Sequence, residues 1–328
     1  RRTYGYDNNG NRTGFRLFID NEQKLSQAYT YDALSRLTKV TKDGTQIAAY
    51  TYNNNGNRLS TTLGNGIVTS YSYNKAGLLT SLTNKKGSNT LSSYAYTYYL
   101  NGNQSTKTEN TGKVTTYGYD TLGRLTSENE AQGSNNILRE YTYDLSSNRS
   151  GLTVNKNGVT ESTAYTYDDN NRLLKELYTN SGSGERKTTS YTYDQNGNNV
   201  YKWSSAVMPM TPDAQFSLYA YLMGDANAEN LPELTSQHNT YDAFNRLSKA
   251  EGYGLAAEYS YDVHNMRISK TVNGDTTNHI WDGYSIVAET DGNGLVKDIY
   301  ARGKGLISST SNGYYLYNGH GDVVNLSD

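Results

Sequence analysis

The 328-residue chain has no cysteine, 3 prolines, 4 phenylalanines, 2 tryptophans and 4 histidines. Absence of cysteine excludes disulfides and thiolate-bound metals and leaves the compartment open. Aliphatic residues are scarce as well: Leu, Ile, Val and Phe together make up about 17% of the chain, under the level at which disorder is usually suspected. Charge does not support disorder, because 30 basic and 32 acidic residues leave a net charge of −2 and almost no self-repulsion. The same balance provides no basic stripe with which to displace counterions from phosphates, so nucleic acid is not an expected partner. No apolar run is long enough to cross a bilayer, and the first residues lack a charged segment followed by an apolar one. These residues therefore contain neither a membrane span nor a signal peptide. G-x-S-x-G, H-E-x-x-H and P-loop motifs are missing and the histidines lie far apart, so no catalytic residue, cofactor or metal ligand is expected.

What the chain has is tyrosine, 33 residues of it, and these rings bring buried area that an aliphatic count misses. They recur in a unit of the form Y-x-Y-[D/N]-x-x-[G/S/N]-[N/R]-[R/L]. It reads YGYDNNGNR from Tyr4 (Tyr4, Tyr6, Asp7), YTYDALSRL from Tyr29 (Tyr29, Tyr31, Asp32) and YTYNNNGNRL from Tyr50. Next come YSYNKAGLL from Tyr71, YTYYLNGN from Tyr96 and YGYDTLGRL from Tyr117 (Tyr117, Tyr119, Asp120, Gly123, Arg124). YTYDLSSNR from Tyr141, YTYDDNNRL from Tyr165 and YTYDQNGNN from Tyr191 (Tyr191, Tyr193, Asp194) follow. TYDAFNRL from Thr240 (Tyr241, Asp242, Arg246) and YSYDVHNMRI from Tyr259 (Tyr259, Tyr261, Asp262) close the series. Steps of 20 to 26 residues separate successive second tyrosines, except for 48 between Tyr193 and Tyr241, where a worn copy, YAYLMGDAN, starts at Tyr219.

Each unit has the chemistry of a β-hairpin. The two tyrosines of Y-x-Y fall on one face of a strand and the small residue between them on the other. The D-x-x-G that follows supplies a side chain able to bond its own backbone two residues on, and a residue that tolerates positive φ. The next stretch, such as RLTKVTK from Arg36 or RLTSENE from Arg124, alternates again and returns antiparallel. A second turn then closes the period, often with glycine, as at Gly44, Gly66, Gly87, Gly112, Gly133, Gly158 and Gly184. One hairpin cannot bury its face alone, so consecutive hairpins are expected to pair edge to edge into a long antiparallel sheet, an all-β repeat fold. Tyrosine ladders replace an ordinary aliphatic core, each aromatic cross-strand pair adding roughly 0.2 to 1 kcal/mol.

The repeated YDxxGRL and YDxxGNR units resemble the YD repeats of the Rhs family, shared with teneurins and insecticidal toxin-complex shells, over nearly the whole chain. HIWDGYSIVAETDGNGLVKDIYARGKGLISS from His279 and YYLYNGHGDVVNLSD from Tyr314 are similar to the late part of an Rhs core. There Gly319, His320, Gly321 and Asp322 read as a further glycine-rich turn. Secreted wall-associated and polymorphic-toxin proteins are the most similar members. The resemblance implies a spiral shell or open scroll of hairpins, non-enzymatic, extracellular or on the cell surface, which encloses or presents a C-terminal toxin or other cargo. Its partners are then other segments of the same polypeptide. The DPxGxxxW-like self-cleavage block of many members has no match, so that activity is carried over to no residue. A start in mid-repeat and an end soon after GHGD lead to the expectation of a fragment or processed product.

Three segments are expected: a hairpin array over 1–202, an irregular insertion with a degenerate repeat over 203–238, and final repeats with the core-like stretch over 239–328. The insertion holds all three prolines, which cannot donate to a ladder, and reads as a surface loop or a plug, with Met208, Met210, Phe216 and Met223 placed for an apolar contact. Asp291-Gly292-Asn293-Gly294 resembles the start of an EF-hand loop, but Leu295 stands at position five and no Glu at twelve, so an ordinary turn is expected. Two other uses of the repeat remain open. A tyrosine-rich face is a platform for cell-surface glycans. Unpaired strand edges are templates for head-to-tail pairing of identical subunits into a tube or fibre.

Overall fold

The computed structural model describes residues 1–207, 234–252 and 254–328, and the regular structure among them is entirely β. The first strands are β1 Arg2–Tyr6, β2 Arg12–Ile19, β3 Glu22–Tyr31, β4 Leu37–Lys42, β5 Thr45–Tyr52, β6 Arg58–Leu63 and β7 Ile67–Tyr73. Then come β8 Leu79–Lys86, β9 Asn89–Tyr98, β10 Gln104–Glu109, β11 Val114–Tyr119, β12 Leu125–Gln132, β13 Asn135–Tyr143 and β14 Arg149–Lys156. They are followed by β15 Val159–Tyr167, β16 Leu173–Asn180, β17 Arg186–Tyr193, β18 Asn199–Val207, β19 Leu234–Tyr241, β20 Leu247–Gly252 and β21 Leu255–Tyr261. The last are β22 Arg267–Val272, β23 Asp275–Asp282, β24 Ser285–Asp291, β25 Val296–Arg302, β26 Leu306–Ser309, β27 Gly313–Tyr317 and β28 Val323–Ser327. Two compact units result, one of residues 1–112 with 277–328, the other of residues 113–276.

Within the first unit every strand from β1 to β10 pairs antiparallel with the next in the chain. The strands from β23 to β28 do the same, and so do those from β11 to β22 in the second unit. The second tyrosine of every repeat ends its strand, and each of the two-residue turns Asp43-Gly44, Asn157-Gly158 and Asn273-Gly274 has positive φ at both positions. That is the turn whose twist matches an antiparallel hairpin, which is why Asn, Asp and Gly close these periods.

The two units fill their faces differently. In the first, the first tyrosines lie opposite largely apolar residues: Tyr4 faces Phe15, Tyr29 faces Val40 and Tyr71 faces Leu82. Val287, Ala288, Ile299, Ala301, Ile307 and Leu316 of the last strands pack with Phe15, Leu17, Leu25, Val40 and Ile67 into one core. In the second unit, Tyr117 faces Glu128, Tyr165 faces Glu176, Tyr191 faces Lys202 and Tyr259 faces Lys270. Its buried apolar residues among those described are Ala250 and Ala257, with Thr115, Thr189 and Ser204 also buried.

The ladder extends into both ends of the segment expected to be irregular. β18 runs through Trp203 to Val207, and β19 begins at Leu234 and pairs with it, Tyr201 facing His238 and Ser205 facing Leu234. Val200, Tyr201 and Trp203 are strand formers on a half-buried surface, and they carry the strand past residue 202. Met208, Met210, Phe216, Met223 and the worn copy at Tyr219 lie outside the described residues. The compact units divide the chain after Gly112 and Thr276 rather than at the edges of the insertion.

Candidate functional site

The recurring structural element is the turn after each second tyrosine. In YGYDNNGNR the Gly10 N–H donates to the Asp7 carbonyl and the Asp7 N–H to the Asn11 carbonyl, closing a five-residue turn. The same pair of bonds recurs after Tyr31, Tyr52, Tyr73, Tyr98, Tyr119, Tyr143, Tyr167, Tyr193, Tyr241 and Tyr261. One carboxylate oxygen of the acid accepts two backbone N–H groups, from two and four residues on: Leu34 and Arg36 for Asp32, Leu122 and Arg124 for Asp120, Asn196 and Asn198 for Asp194. Asp242 and Asp262 do likewise. The third residue after the acid takes positive φ: Gly123 at 79°, Asn245 at 59°. Glycine and asparagine alternate there because both tolerate the left-handed region.

The fourth residue after the acid bonds its other oxygen. Where it is Arg, Nε donates: Arg36 to Asp32 at 2.6 Å, Arg124 to Asp120 at 2.7 Å, Arg172 to Asp168 at 2.6 Å and Arg246 to Asp242 at 2.7 Å. Where it is Asn, the side-chain amide donates: Asn11 to Asp7, Asn148 to Asp144 and Asn198 to Asp194, at 2.9 to 3.0 Å. These bonds favour the ionised acids. Asp7 and Asp194 are held below the usual carboxylate range chiefly by those amides, and Asp32, Asp168 and Asp262 chiefly by the N–H four residues on. At Asp120 and Asp242 burial pushes the other way, and the bonds from Arg124 and Arg246 outweigh it.

A β-bulge sits at each second tyrosine. Thr30 faces Lys39 but Tyr31 faces Leu37, leaving Thr38 as the extra residue, and the shift repeats in all eleven hairpins. A bulge disrupts the ladder locally, and the carbonyl opposite it is taken up by the next hairpin. Tyr52 OH donates to the Leu37 carbonyl at 2.7 Å, Tyr73 to Arg58, Tyr98 to Leu79, Tyr143 to Leu125 and Tyr167 to Arg149. Tyr31, Tyr193, Tyr241 and Tyr261 reach back in the same way to Arg12, Leu173, Asn199 and Leu247. The turn arginines cover these rings: Arg36 lies 4.9 Å from the Tyr52 centroid, Arg124 4.6 Å from Tyr143, Arg172 5.0 Å from Tyr193 and Arg246 5.0 Å from Tyr261. Nine hairpins are thus fastened to the one before by a hydroxyl, and at Tyr52, Tyr143, Tyr193 and Tyr261 by a cation as well. Burial raises the phenols of Tyr31, Tyr52, Tyr193, Tyr241 and Tyr261, which keeps them protonated as donors.

The remaining predicted residues vary with position. Tyr4 and Tyr6 are 42% and 62% exposed, whereas Tyr29 is buried. Tyr117 is pushed up to about 12 by burial, with the Glu128 carboxylate adding to it. Gly319, His320, Gly321 and Asp322 form the same turn on Asn318, whose side-chain oxygen accepts the N–H groups of His320 and Asp322. The His320 ring stacks on Tyr96 at 5.9 Å and its Nε2 sits 2.6 Å from Gln104, so it is turned to β9 and β10 and not to Asp322. Tyr317 ends its strand at a bulge and donates to the Leu306 carbonyl at 2.7 Å. Tyr315-Leu316-Tyr317-Asn318 is therefore a further full repeat, a copy the sequence series above does not count. Asp291 also closes the ordinary turn, its carboxylate accepting from Asn293 and Leu295.

Comparison with known proteins agrees with this element. The RHS Repeat family model matches residues 52–88 and 98–134, and the Teneurin YD-shell model matches residues 1–69. The tRNA3(Ser)-specific nuclease WapA of Bacillus spizizenii is 31% identical over 199 residues, 58% of this chain. The tRNA nuclease WapA of Bacillus subtilis strain 168 is equally similar. The chain spans 7% of the length of either relative. Crystal structures of TcdB2-TccC3 with Cdc42, and of TcdB2-TccC3 without its hypervariable C-terminal region, align over 93% of this chain and 18% of theirs. Their TM-scores are 0.43 and 0.46, at 14% and 15% identity. With its Y-x-Y-D turn, bulge and tyrosine bond recurring along the chain, and with both family models matching on those repeats, the chain is built of YD repeats of the Rhs type.

Proposed function

We propose that this chain is a non-enzymatic wall segment of a longer, secreted or surface-exposed protein, whose hairpins enclose or present a toxin or other cargo carried elsewhere in the same polypeptide. The observation that supports this reading is the hydroxyl-and-arginine fastening between successive hairpins, from Tyr31 on Arg12 to Tyr261 on Leu247. It joins repeat to repeat by one interface, so a wall lengthens by adding units. The turn carboxylates are spent in the same fastening, with Asp32, Asp120, Asp168 and Asp242 each engaged through both oxygens. The similar WapA proteins bear the name of tRNA nucleases and are far longer than this chain. We place any such activity outside these residues.

The test is electron microscopy of the full-length protein from its native source, paired with limited proteolysis. Hollow particles with internal density and a protease-resistant cargo segment are expected. Cargo cleaved as readily as a free peptide, or long tubes formed by many copies, would overturn the enclosing role.

A further inference from the structure

In the first unit the last strands do not seal the face they cover. Between β5–β8 and the loops beside β26 and β27 lies a cavity of about 530 Å³, a volume typical of small-molecule sites. Rings of Tyr50, Tyr71, Tyr315 and Tyr317 line it together with Leu82 and Ile307.

Two features give it a chemical preference. The first is charge. Arg58 and Lys304 line the cavity and, among the described residues, no carboxylate does. The Arg58 guanidinium is held 4.5 Å from the Tyr71 ring centroid, and the Lys304 ammonium lies 5.3 Å from that of Tyr52. By contrast, a cavity of about 570 Å³ in the second unit sets Glu176 and Glu185 beside Lys187 and Lys202 and has no such bias. The second is Tyr50, whose ring lines the cavity and whose hydroxyl accepts the Lys304 N–H at 3.4 Å, leaving its own proton to donate.

We propose that this cavity binds a small ring carboxylate, of the uronic-acid or aryl-carboxylate type. Its carboxylate meets Arg58, with the Lys304 ammonium adding to the attraction, and its ring lies on the tyrosine faces. Charge-assisted bonds to a guanidinium are the strong ones, and aromatic walls suit either kind of ring. The proposal does not depend on the enclosing role.

The test uses the 328-residue chain, titrated with D-glucuronate and 4-hydroxybenzoate and with their neutral counterparts D-glucose and phenol, read by saturation-transfer NMR and calorimetry. At least one acid is expected to bind, about tenfold or more tighter than its neutral counterpart. Which acid it is separates a sugar from an aryl ligand. Gly305 lines the cavity, and a Cβ there meets nothing within 4 Å, so Gly305→Phe fills the mouth with the fold intact and abolishes binding. Arg58→Gln weakens binding about tenfold. Acids that bind no better than their neutral counterparts, or an affinity untouched by Gly305→Phe, overturn the proposal. If Gly305→Phe does not fold, an affinity unchanged in Arg58→Gln overturns it instead.

Discussion

Tyr50 gives the sharpest test of how burial governs this tyrosine-built core. It is 5% exposed and its phenol is pushed up to about 12, burial being the main cause. In the unfolded chain a tyrosine titrates near pH 10. The folded value is the higher one, so the stability this group contributes is fully present below about pH 10 and is lost as pH rises through about 12. For a shift of about two units the loss is about 1.4 kcal/mol at about pH 11 and about 2.3 kcal/mol at about pH 12. Phenylalanine has nothing to ionise. At neutral pH Tyr50→Phe gives up a hydroxyl whose bond from the Lys304 N–H is long, 3.4 Å, at a cost of about 1 kcal/mol or less. The two curves must therefore cross. Wild type is the more stable protein at neutral pH, and the variant is the more stable by about 1 kcal/mol at about pH 12.

The assay is urea unfolding of both proteins followed by far-ultraviolet circular dichroism, in steps from neutral to strongly alkaline pH, with phenolate absorbance recorded alongside. Equal denaturant slopes show that the same transition is being compared. Tyr96 and Tyr117, also pushed up to about 12, ionise in both proteins and cancel in the difference. A difference that keeps its sign and size across the whole range would refute the claim that burial holds the Tyr50 phenol neutral.

Three further outcomes test the repeat itself. Tyr52→Phe, which loses the 2.7 Å bond to the Leu37 carbonyl, lowers stability by about 1 kcal/mol. Tyr6→Phe at a 62% exposed ring leaves it unchanged, and equal effects in urea unfolding count against the fastening. Asp32 is held below the usual range chiefly by the Arg36 N–H, so its contribution is present above about pH 4 and lost as pH falls through the folded value. Asp32→Ala lowers the neutral-pH midpoint and flattens the acid loss. Asp32→Asn keeps the turn, as Asn53 and Asn74 do natively, and a midpoint matching that of the Ala variant contradicts the turn's role. Gly123 has φ 79° in the position that Asn171, Asn245 and Asn265 fill elsewhere. Gly123→Asn is therefore tolerated while Gly123→Val costs about 1–2 kcal/mol, to be read from thermal midpoints.

The hairpin, the strand ends and the polar turn were legible because Y-x-Y-D-x-x-G encodes them locally, in alternation, in one acceptor side chain and in one residue of positive φ. The two endings of the motif were not told apart. In GRL the fourth residue after the acid is Arg, which bonds the acid and covers the next ring. In GNR it is Asn, and Arg moves one place on, where Arg58 lies over Tyr71 and Arg149 over Tyr165. The bulge makes that single step matter. In YTYNNNGNRL it puts Leu59 at the extra position, 41% exposed, whereas Leu37 of YTYDALSRL, with Arg in the fourth place, is 9% exposed. Neither the bulge nor the contacts of the last strands is periodic within one hairpin, so no local pattern announces them. The repeat at Tyr315 escaped because its turn ends with Asp322 where the motif has Asn or Arg, and the Asn318 amide donates to that carboxylate at 2.9 Å.

The placement of the fastening accounts for a chain so poor in aliphatic residues. Bulge, tyrosine bond and arginine all sit at one end of each strand, next to the turn, and they recur where the rest of the face changes character. In the first unit that face is partly covered by Leu, Ile and Val from the last strands. In the second it carries Lys113, Glu128, Glu130 and Arg139 as a linked ionic group, with Lys113 3.2 Å from Glu130 and Arg139 3.7 Å from Glu128. An isolated hairpin with such a face could not fold. Held at its turn to its neighbours, it needs little buried apolar surface of its own, and the face becomes free to carry charge. Phenylalanine at the second position would keep the ring but abandon the bulge carbonyl, and the chain has tyrosine there in all eleven repeats.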